Sequence, residues 1–398
     1  MTNPFAHKKC NTPVRVLLII MMMQFASLVL HAQEKERKWT LSGYVKDMQS
    51  VMFTKVEGDW ISDNLIHNRL NFRWDVNEVM KVHLELRNRL IFGESLKYIP
   101  DYSNYVDRDE GLLDLSVFLF EEKSFLLHSS LDRAWVDFSF DKFQFRMGRQ
   151  RINWSHTFVW NPNDLFNTYS FFDFDYEEKP GSDAIRAVFY TSSTSQLELA
   201  LKADHKHRKT MAMLYRFNRW NYDIQFLTGL LNDEDIAFGA GWSGSLFKGG
   251  FRGEASYFHP LENLKDTAGA FLLSAGYEYV FKNSLMILFE ALYNSKGKDS
   301  GSFSLNEFYY LDLSAKNLSL TRWSLMGQLS YPFTPIFSGA FSAMYSPNNH
   351  FLFLGPALTY SLADNLSLNF SLQSFLNLKD DDQAGKGSFV FLRLKKNF

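Results

Sequence analysis

Arg69, Arg73, Arg87, Arg89, Arg133, Arg146, Arg186, Arg252 and Arg322 stand in segments where charged and apolar residues alternate, so each shares one face with the other polar residues of its segment. A guanidinium is always charged and presents a fixed fork of donors to carboxylates and phosphates. Rings of such groups around a pore lower the barrier for anions and sugar acids. Glu85, Asp137, Glu198, Glu254, Glu278 and Glu290 fall on the same faces, which leaves the basic groups in excess. A second polar set, Asn161, Asp164, Asp173, Asp175, Glu177 and Glu178, belongs to one long connection, residues 153–182. Pro162 and Pro180-Gly181 force turns there, and Asn161, Asn163 and Asp164 can satisfy local backbone donors, so the segment is built to hold one shape. Two readings of it stand open: an anion-favouring constriction, or carboxylates that neutralise the arginines and pin the loop.

Other constellations carry less. Ser155-His156 is an adjacent pair, and adjacent residues on an extended chain point apart. No G-x-S-x-G, H-E-x-x-H, Walker or dinucleotide pattern is present, so no catalysis is expected. Asp107, Asp109, Glu110, Glu121, Glu122 and Asp380-Asp381-Asp382 offer hard oxygen ligands near a lipopolysaccharide surface, but such runs are usually solvated loop faces. His205-Lys206-His207 lacks a third ligand in sequence. No metal and no cofactor are expected.

The elements that position these groups are strands. Ile66, Leu70, Phe72 and Trp74 face one way and His67, Arg69, Asn71, Arg73 and Asp75 the other, which is a period of two. The next segment sets Met80, Val82, Leu84, Leu86, Leu90 and Phe92 against Lys81, His83, Glu85, Arg87 and Arg89. The same pattern predicts strands near 40–52, 65–75, 79–92, 131–140, 143–152, 183–191, 196–204, 210–218, 221–231, 236–247, 250–258, 269–281, 284–295, 319–331, 336–346, 351–361, 366–377 and 388–398, about eighteen in all with sixteen the nearest alternative. Every second connection is minimal, as at Asp141-Lys142 or Lys282-Asn283, while the others, such as 93–130 and 153–182, are long. Short turns at one end and long loops at the other mark an antiparallel up-and-down barrel of the outer membrane. Both termini then fall in the periplasm. An unpaired strand edge in hydrocarbon is costly, so the sheet must close on itself.

Composition agrees. Aromatic residues make up 17% of the 398-residue chain, and Trp74, Phe92, Trp242, Tyr257 and Tyr331 sit near segment ends as interfacial girdles do. Only the first thirty-odd residues hold a long apolar run, whereas a helical span needs about 20 such residues each time it crosses. A net charge of −2 excludes the basic excess of a nucleic-acid binder. Lys8, Lys9 and Arg15 precede the apolar Val16–Leu30 stretch, and Ala32 precedes Gln33, which reads as a secretory signal peptide over 1–32 ahead of a barrel domain over 33–398. The lone Cys10 would be removed with it. With the first strand near Thr40, little chain is left for an N-terminal plug, so any restriction is expected from a folded-in loop or from lumenal side chains. The final strand, with Val390, Leu392 and Leu394 alternating toward Phe398, resembles the terminal signal that outer-membrane barrels present to their assembly machinery.

Gly148-Arg149-Gln150, then Trp154, then Asn161-Pro162-Asn163-Asp164-Leu165-Phe166-Asn167, then Pro180-Gly181 and Arg186 resemble the early barrel region of porin-like outer-membrane proteins related to the alginate-export family. The resemblance covers residues 148–186. It implies a monomeric barrel channel with a charged lumen and inward-folding loops, and it does not imply alginate as the solute.

The sequence therefore predicts a passive channel in a Gram-negative outer membrane for small hydrophilic solutes, anionic or saccharide-like, in contact with lipid and lipopolysaccharide. The N-terminal strands are expected to shape selectivity and the C-terminal strands to serve mainly as wall. The alternative is an accessory or structural barrel of a larger envelope complex. For that, the apolar run Leu112, Leu113, Leu115, Val117, Phe118, Leu119 and Phe120 supplies a docking surface, a plug or a short amphipathic helix. A carrier of hydrophobic solutes fits poorly with the charged early faces, although Leu227, Leu272, Leu288 and Leu292 make the later ones less polar.

Overall fold

The computed structural model describes residues 38–99, 101–107, 109–172, 176–262, 267–300, 313–379 and 386–398. The expected signal peptide, Asp173, Asp175 and Asp380-Asp381-Asp382 lie outside the described residues. In chain order the strands are β1 (Trp39–Phe53), β2 (Trp60–Asp75), β3 (Met80–Gly93), β4 (Ser116–Glu121), β5 (Phe125–Phe140), β6 (Phe143–Gln150), β7 (Ser182–Ser192), β8 (Ser195–Ala203), β9 (Lys209–Arg219) and β10 (Tyr222–Leu231). They continue with β11 (Asp235–Leu246), β12 (Gly249–Pro260), β13 (Ala270–Val280), β14 (Met286–Asn294), β15 (Trp323–Thr334), β16 (Phe337–Ser346), β17 (Phe351–Ala363), β18 (Leu366–Asn377) and β19 (Gly387–Asn397).

Each strand pairs antiparallel with its neighbour, β3 pairs directly with β5, and β19 returns to β1, so eighteen strands close a ring and β4 stands outside it. Phe398 seals the seam, exchanging backbone hydrogen bonds of 3.0 Å in both directions with Gly43. Closure leaves no ladder edge for lipid to meet. Ile66, Met147, Leu199, Met213, Phe226, Phe238, Phe289, Leu329, Phe341 and Leu392 expose large apolar side chains around the outside, a belt that hydrocarbon accepts and water does not. Trp39 opposes Trp74 at one end of β1–β2, and Phe53 stacks on Trp60 at the other, with ring centroids 4.9 Å apart. No described helix is long and apolar enough to cross a membrane; the crossing is made by strands.

The short turns fall at one end. Trp220-Asn221 and Phe247-Lys248 both place two residues at positive φ, the geometry whose twist matches that of the flanking strands. At the other end the sequence expectation needs correction twice. The first connection is shorter than expected, because β2 already begins at Trp60. The 93–130 segment is not a free loop: it holds two short helices (Ser95–Tyr98 and Tyr102–Val106), β4, and the first residues of β5. The run Val117–Phe120 is thus strand, neither plug nor amphipathic helix. Alternation failed to reveal it because the register slips between Phe118 and Phe120, and because Leu126 and Leu127 are adjacent apolar residues on opposite faces. A second slip, beside Glu85 and Leu86, gives β5 one extra residue, Asp132. Such a bulge re-aims a side chain without breaking the strand.

Candidate functional site: one loop held between two unlike walls

At Gln150 the chain leaves the barrel wall, and residues 151–172 and 176–181 turn into the lumen. The departure would strip β5 of its neighbour above that point, and β4 fills the gap, with Ser116 opposite Ser130 and Val117 opposite Ser129. Arg149 fastens this patch: its Nε donates to Asp183 Oδ1 at 2.8 Å and its Nη1 to Asp109 Oδ2 at 2.6 Å. Acidic residues of the 93–130 segment therefore serve as structural partners, Asp107 likewise accepting from Ser116 at 2.6 Å.

The first half of the loop rests on strands β8 to β14. Glu254 accepts the backbone N–H groups of His156, Thr157 and Asn163, the last two at 2.9 Å. Glu290 accepts those of Phe158 and Trp160 at 2.8 Å and of Val159 at 3.2 Å. Both carboxylates are fully buried, and among the described residues neither forms an ion pair. Converging amides replace water around each charge, as anion-binding backbone nests do. Glu198 accepts from Trp154 Nε1 at 2.6 Å while pairing with Arg186, and Gln225 donates to the Trp154 carbonyl at 2.6 Å. Beneath the loop, Val159, Trp160, Leu165 and Phe166 join one buried apolar cluster with Leu214, Leu227, Leu272, Leu288 and Leu292. The later strands are therefore more than wall: they supply the seat of the loop.

Asn161 and Asp164 belong to the loop's own interior. Asn161 Oδ1 accepts from Thr157 Oγ1 at 3.1 Å, and Asp164 Oδ1 from the Asn167 N–H at 3.3 Å. Burial pushes the Asp164 carboxyl up to about 6, against the opposing pull of Arg151, Lys202 and Lys179. Burial likewise pushes His156 down to about 4, with Arg216 adding to the effect.

The second half of the loop meets cations on β19, β1, β2, β3 and β5. Glu177 lies 3.0 Å from Arg393 Nη1 and 2.7 Å from Lys395 Nζ. Glu178 accepts from the Tyr44 hydroxyl at 3.2 Å and lies 3.7 Å from Arg69 Nε. Arg133 donates to the Glu178 and Lys179 carbonyls at 2.9 and 2.6 Å, and Arg87 stacks on Tyr176 at 4.0 Å. Behind this contact Arg69, itself fully buried, binds Glu85 and, at 2.5 Å, the bulge residue Asp132. Arg89 donates to the Val106 carbonyl at 2.6 Å, beside His128. Between the two halves, Phe172 packs on Phe353 with centroids 4.8 Å apart. A cavity of about 60 Å³ remains there, bounded by Trp160, Tyr169, Phe171, Thr321 and Met344.

The remaining expected lining residues are dispersed. Arg146 pairs with Asp137 at 2.8 Å and covers Trp135, and Arg252 pairs with Glu278 and covers Phe158 at 3.9 Å. Arg73 is half exposed beside Asp75, close to the short turn after β2. Arg322 is not on a strand face as expected: β15 begins one residue later, and Arg322 pairs with Asp299 at the loop rim. Sequence reasoning missed Tyr44, Lys46, Arg393 and Lys395. Their signal was present, since Arg393 and Lys395 interleave Leu392 and Leu394, but the terminal strand was read only for its apolar row.

No protein family profile matches the chain, and no curated protein is similar to it in sequence. Solved structures match by shape. The outer membrane protein OpdK of Pseudomonas aeruginosa superposes with a TM-score of 0.58 at 10% identity, over 90% of this chain and 98% of that one. The fold is that of an outer-membrane barrel. OccAB1 of Acinetobacter baumannii gives 0.56 at 11% identity, over 92% and 99%, and OpdK with vanillate gives 0.57 at 10%, over 90% and 98%. These neighbours are outer-membrane channels and not enzymes. They form a different porin group from the alginate-export proteins, and the resemblance carried by residues 148–186 is not found.

Proposed function

We propose that the protein is a passive outer-membrane channel for small hydrophilic solutes, chiefly organic anions. The observation that carries this reading is the gathering of Lys46, Arg69, Arg87, Arg89, Arg133, Arg393 and Lys395 on one sector of the lumen, facing a loop that narrows it. Cations fixed in a confined, low-dielectric passage favour anion entry and replace part of the solute's hydration. Solutes move by diffusion, without a cofactor or a covalent step. The neighbour OpdK with vanillate, a small organic anion, supports the solute class. Delivery by a leader cleaved after Ala32 belongs to the same reading, and N-terminal sequencing of the membrane-extracted protein should begin at Gln33.

Planar-bilayer recording of the detergent-extracted barrel in a KCl gradient tests the proposal. Stable ohmic steps with a reversal potential on the chloride side are expected. Leu112, Leu113 and Phe120 are exposed at the loop rim and favour a second reading, an accessory subunit docked by another envelope protein. A folded barrel that never conducts would support that reading instead.

A further inference from the structure

We propose that Glu177 is a tethered occupant of an anion site at the barrel seam, and that a solute bearing a carboxylate passes by taking its place. The inference rests on the anion-channel reading and adds the site and the manner of its use.

The barrel wall supplies the cations of the site. Lys46 and Lys395 stand directly opposite one another across the β1–β19 seam, and Arg393 lies two residues from Lys395 on the same face. Like charges set across a ladder repel, so the arrangement calls for an anion between them. Tyr44 forms the floor, with the Lys395 ammonium 4.3 Å and the Lys46 ammonium 5.5 Å from its ring centroid. Tyr44 is almost entirely buried and Lys46 entirely so, which fixes both in place. Into this setting the loop inserts Glu177, with one oxygen on Arg393 and the other on Lys395, beside Glu178 on the Tyr44 hydroxyl.

The contact is made to be exchanged. The Glu177 side chain is 37% exposed and its two partners 16%, whereas Arg69 and Asp132 are 0% and 5% exposed in their permanent pair. Exposed pairs are weak and screened by salt, while breaking a buried one strands a charge. Displacement also asks little of the backbone. Arg133 holds the Glu178 and Lys179 carbonyls independently, so rotation of the Glu177 side chain releases its contacts to Arg393 and Lys395 without moving the backbone. The ligand chemistry follows: a compact carboxylate that spans a guanidinium and an ammonium as Glu177 does.

Bilayer recordings with succinate as the probe and uncharged succinamide as the control test this. Glu177→Gln removes the tethered competitor, so the succinate concentration that half-blocks the current should fall about three- to fivefold, the worth of a partly exposed ion pair. Arg393→Gln should raise it, and succinamide should block neither protein. Folding is checked by the heat-dependent shift in electrophoretic mobility. An unchanged half-blocking concentration in Glu177→Gln, with anion preference intact in both proteins, would overturn the proposal and leave the channel reading standing. Cation preference in the unaltered protein would overturn both.

Discussion

Glu254 and Glu290 receive the loop's backbone amides, whereas Arg393, Lys395, Arg69 and Arg133 receive its carboxylates and carbonyls. Both walls carry charge, yet they use it differently. On the β8–β14 side Glu254 and Glu290 are buried, surrounded by fixed donors and, among the described residues, form no ion pair, so the contact depends on geometry and is indifferent to salt. Toward the seam, Glu177 meets Arg393 and Lys395 in partial exposure, a contact of the kind that salt and other anions weaken. The first wall is framework for the loop; on the proposed reading, the second is the face a solute meets.

The comparison can be broken at several points. Glu290→Ala should act most strongly, because it leaves buried amides of Phe158, Val159 and Trp160 without an acceptor at about 1–3 kcal/mol for each. Protease cleavage within 154–163 of the folded barrel should appear, and continued resistance would show that the amides do not depend on Glu290. Arg69→Ala strands Asp132 and Glu85 and should cost about 3–5 kcal/mol. Its readout is a lower temperature for loss of the folded electrophoretic form. Combining Arg87→Ser with Arg89→Ser should move the reversal potential toward zero while leaving loop protection unchanged.

A pH effect of moderate size should separate the walls further. Burial holds the Asp164 carboxyl at about 6, above its ordinary value of 3.8. The seated loop therefore keeps a proton that the released loop gives up. The contribution of Asp164 to its stability should be highest below pH 4, fall as pH rises to 6, and stay level above, while that of His156, held down at about 4, runs the opposite way. Protease protection measured at pH 4.5 and pH 7.5 reads the balance, and Asp164→Asn should lower protection at pH 4.5 relative to pH 7.5, leaving the His156 contribution. The smallest effect is that of salt. Raising KCl should loosen the Glu177 contact and leave cleavage at 154–163 unaltered.

The barrel was legible because alternation is set by the membrane itself: a lipid face and a water face leave a period of two in every spanning strand. Reading failed where the period breaks, at the slip beside Phe118 and at the Asp132 bulge. The site was legible only in part. Arg69, Arg87 and Arg133 do meet the stretch that carries Glu177 and Glu178, and their residue types announced a charged contact, whereas Arg89 binds the Val106 carbonyl. That Glu254 and Glu290 would cap amides instead of arginines had no signature, because an inward carboxylate looks the same in sequence whichever donor it finds. Asn161 and Asp164 were read as polar groups of a constriction, and burial turned them inward to shape it.

The central claim is that selectivity resides on the seam wall alone. The most direct measurement is the reversal potential in a KCl gradient for three proteins: the unaltered barrel, the triple variant Lys46→Gln, Arg393→Gln and Lys395→Gln, and Glu254→Gln. Anion preference in the unaltered protein, lost in the triple variant and kept in Glu254→Gln, is the predicted result. An equal shift in both variants, or anion preference that survives the triple substitution, would contradict the account.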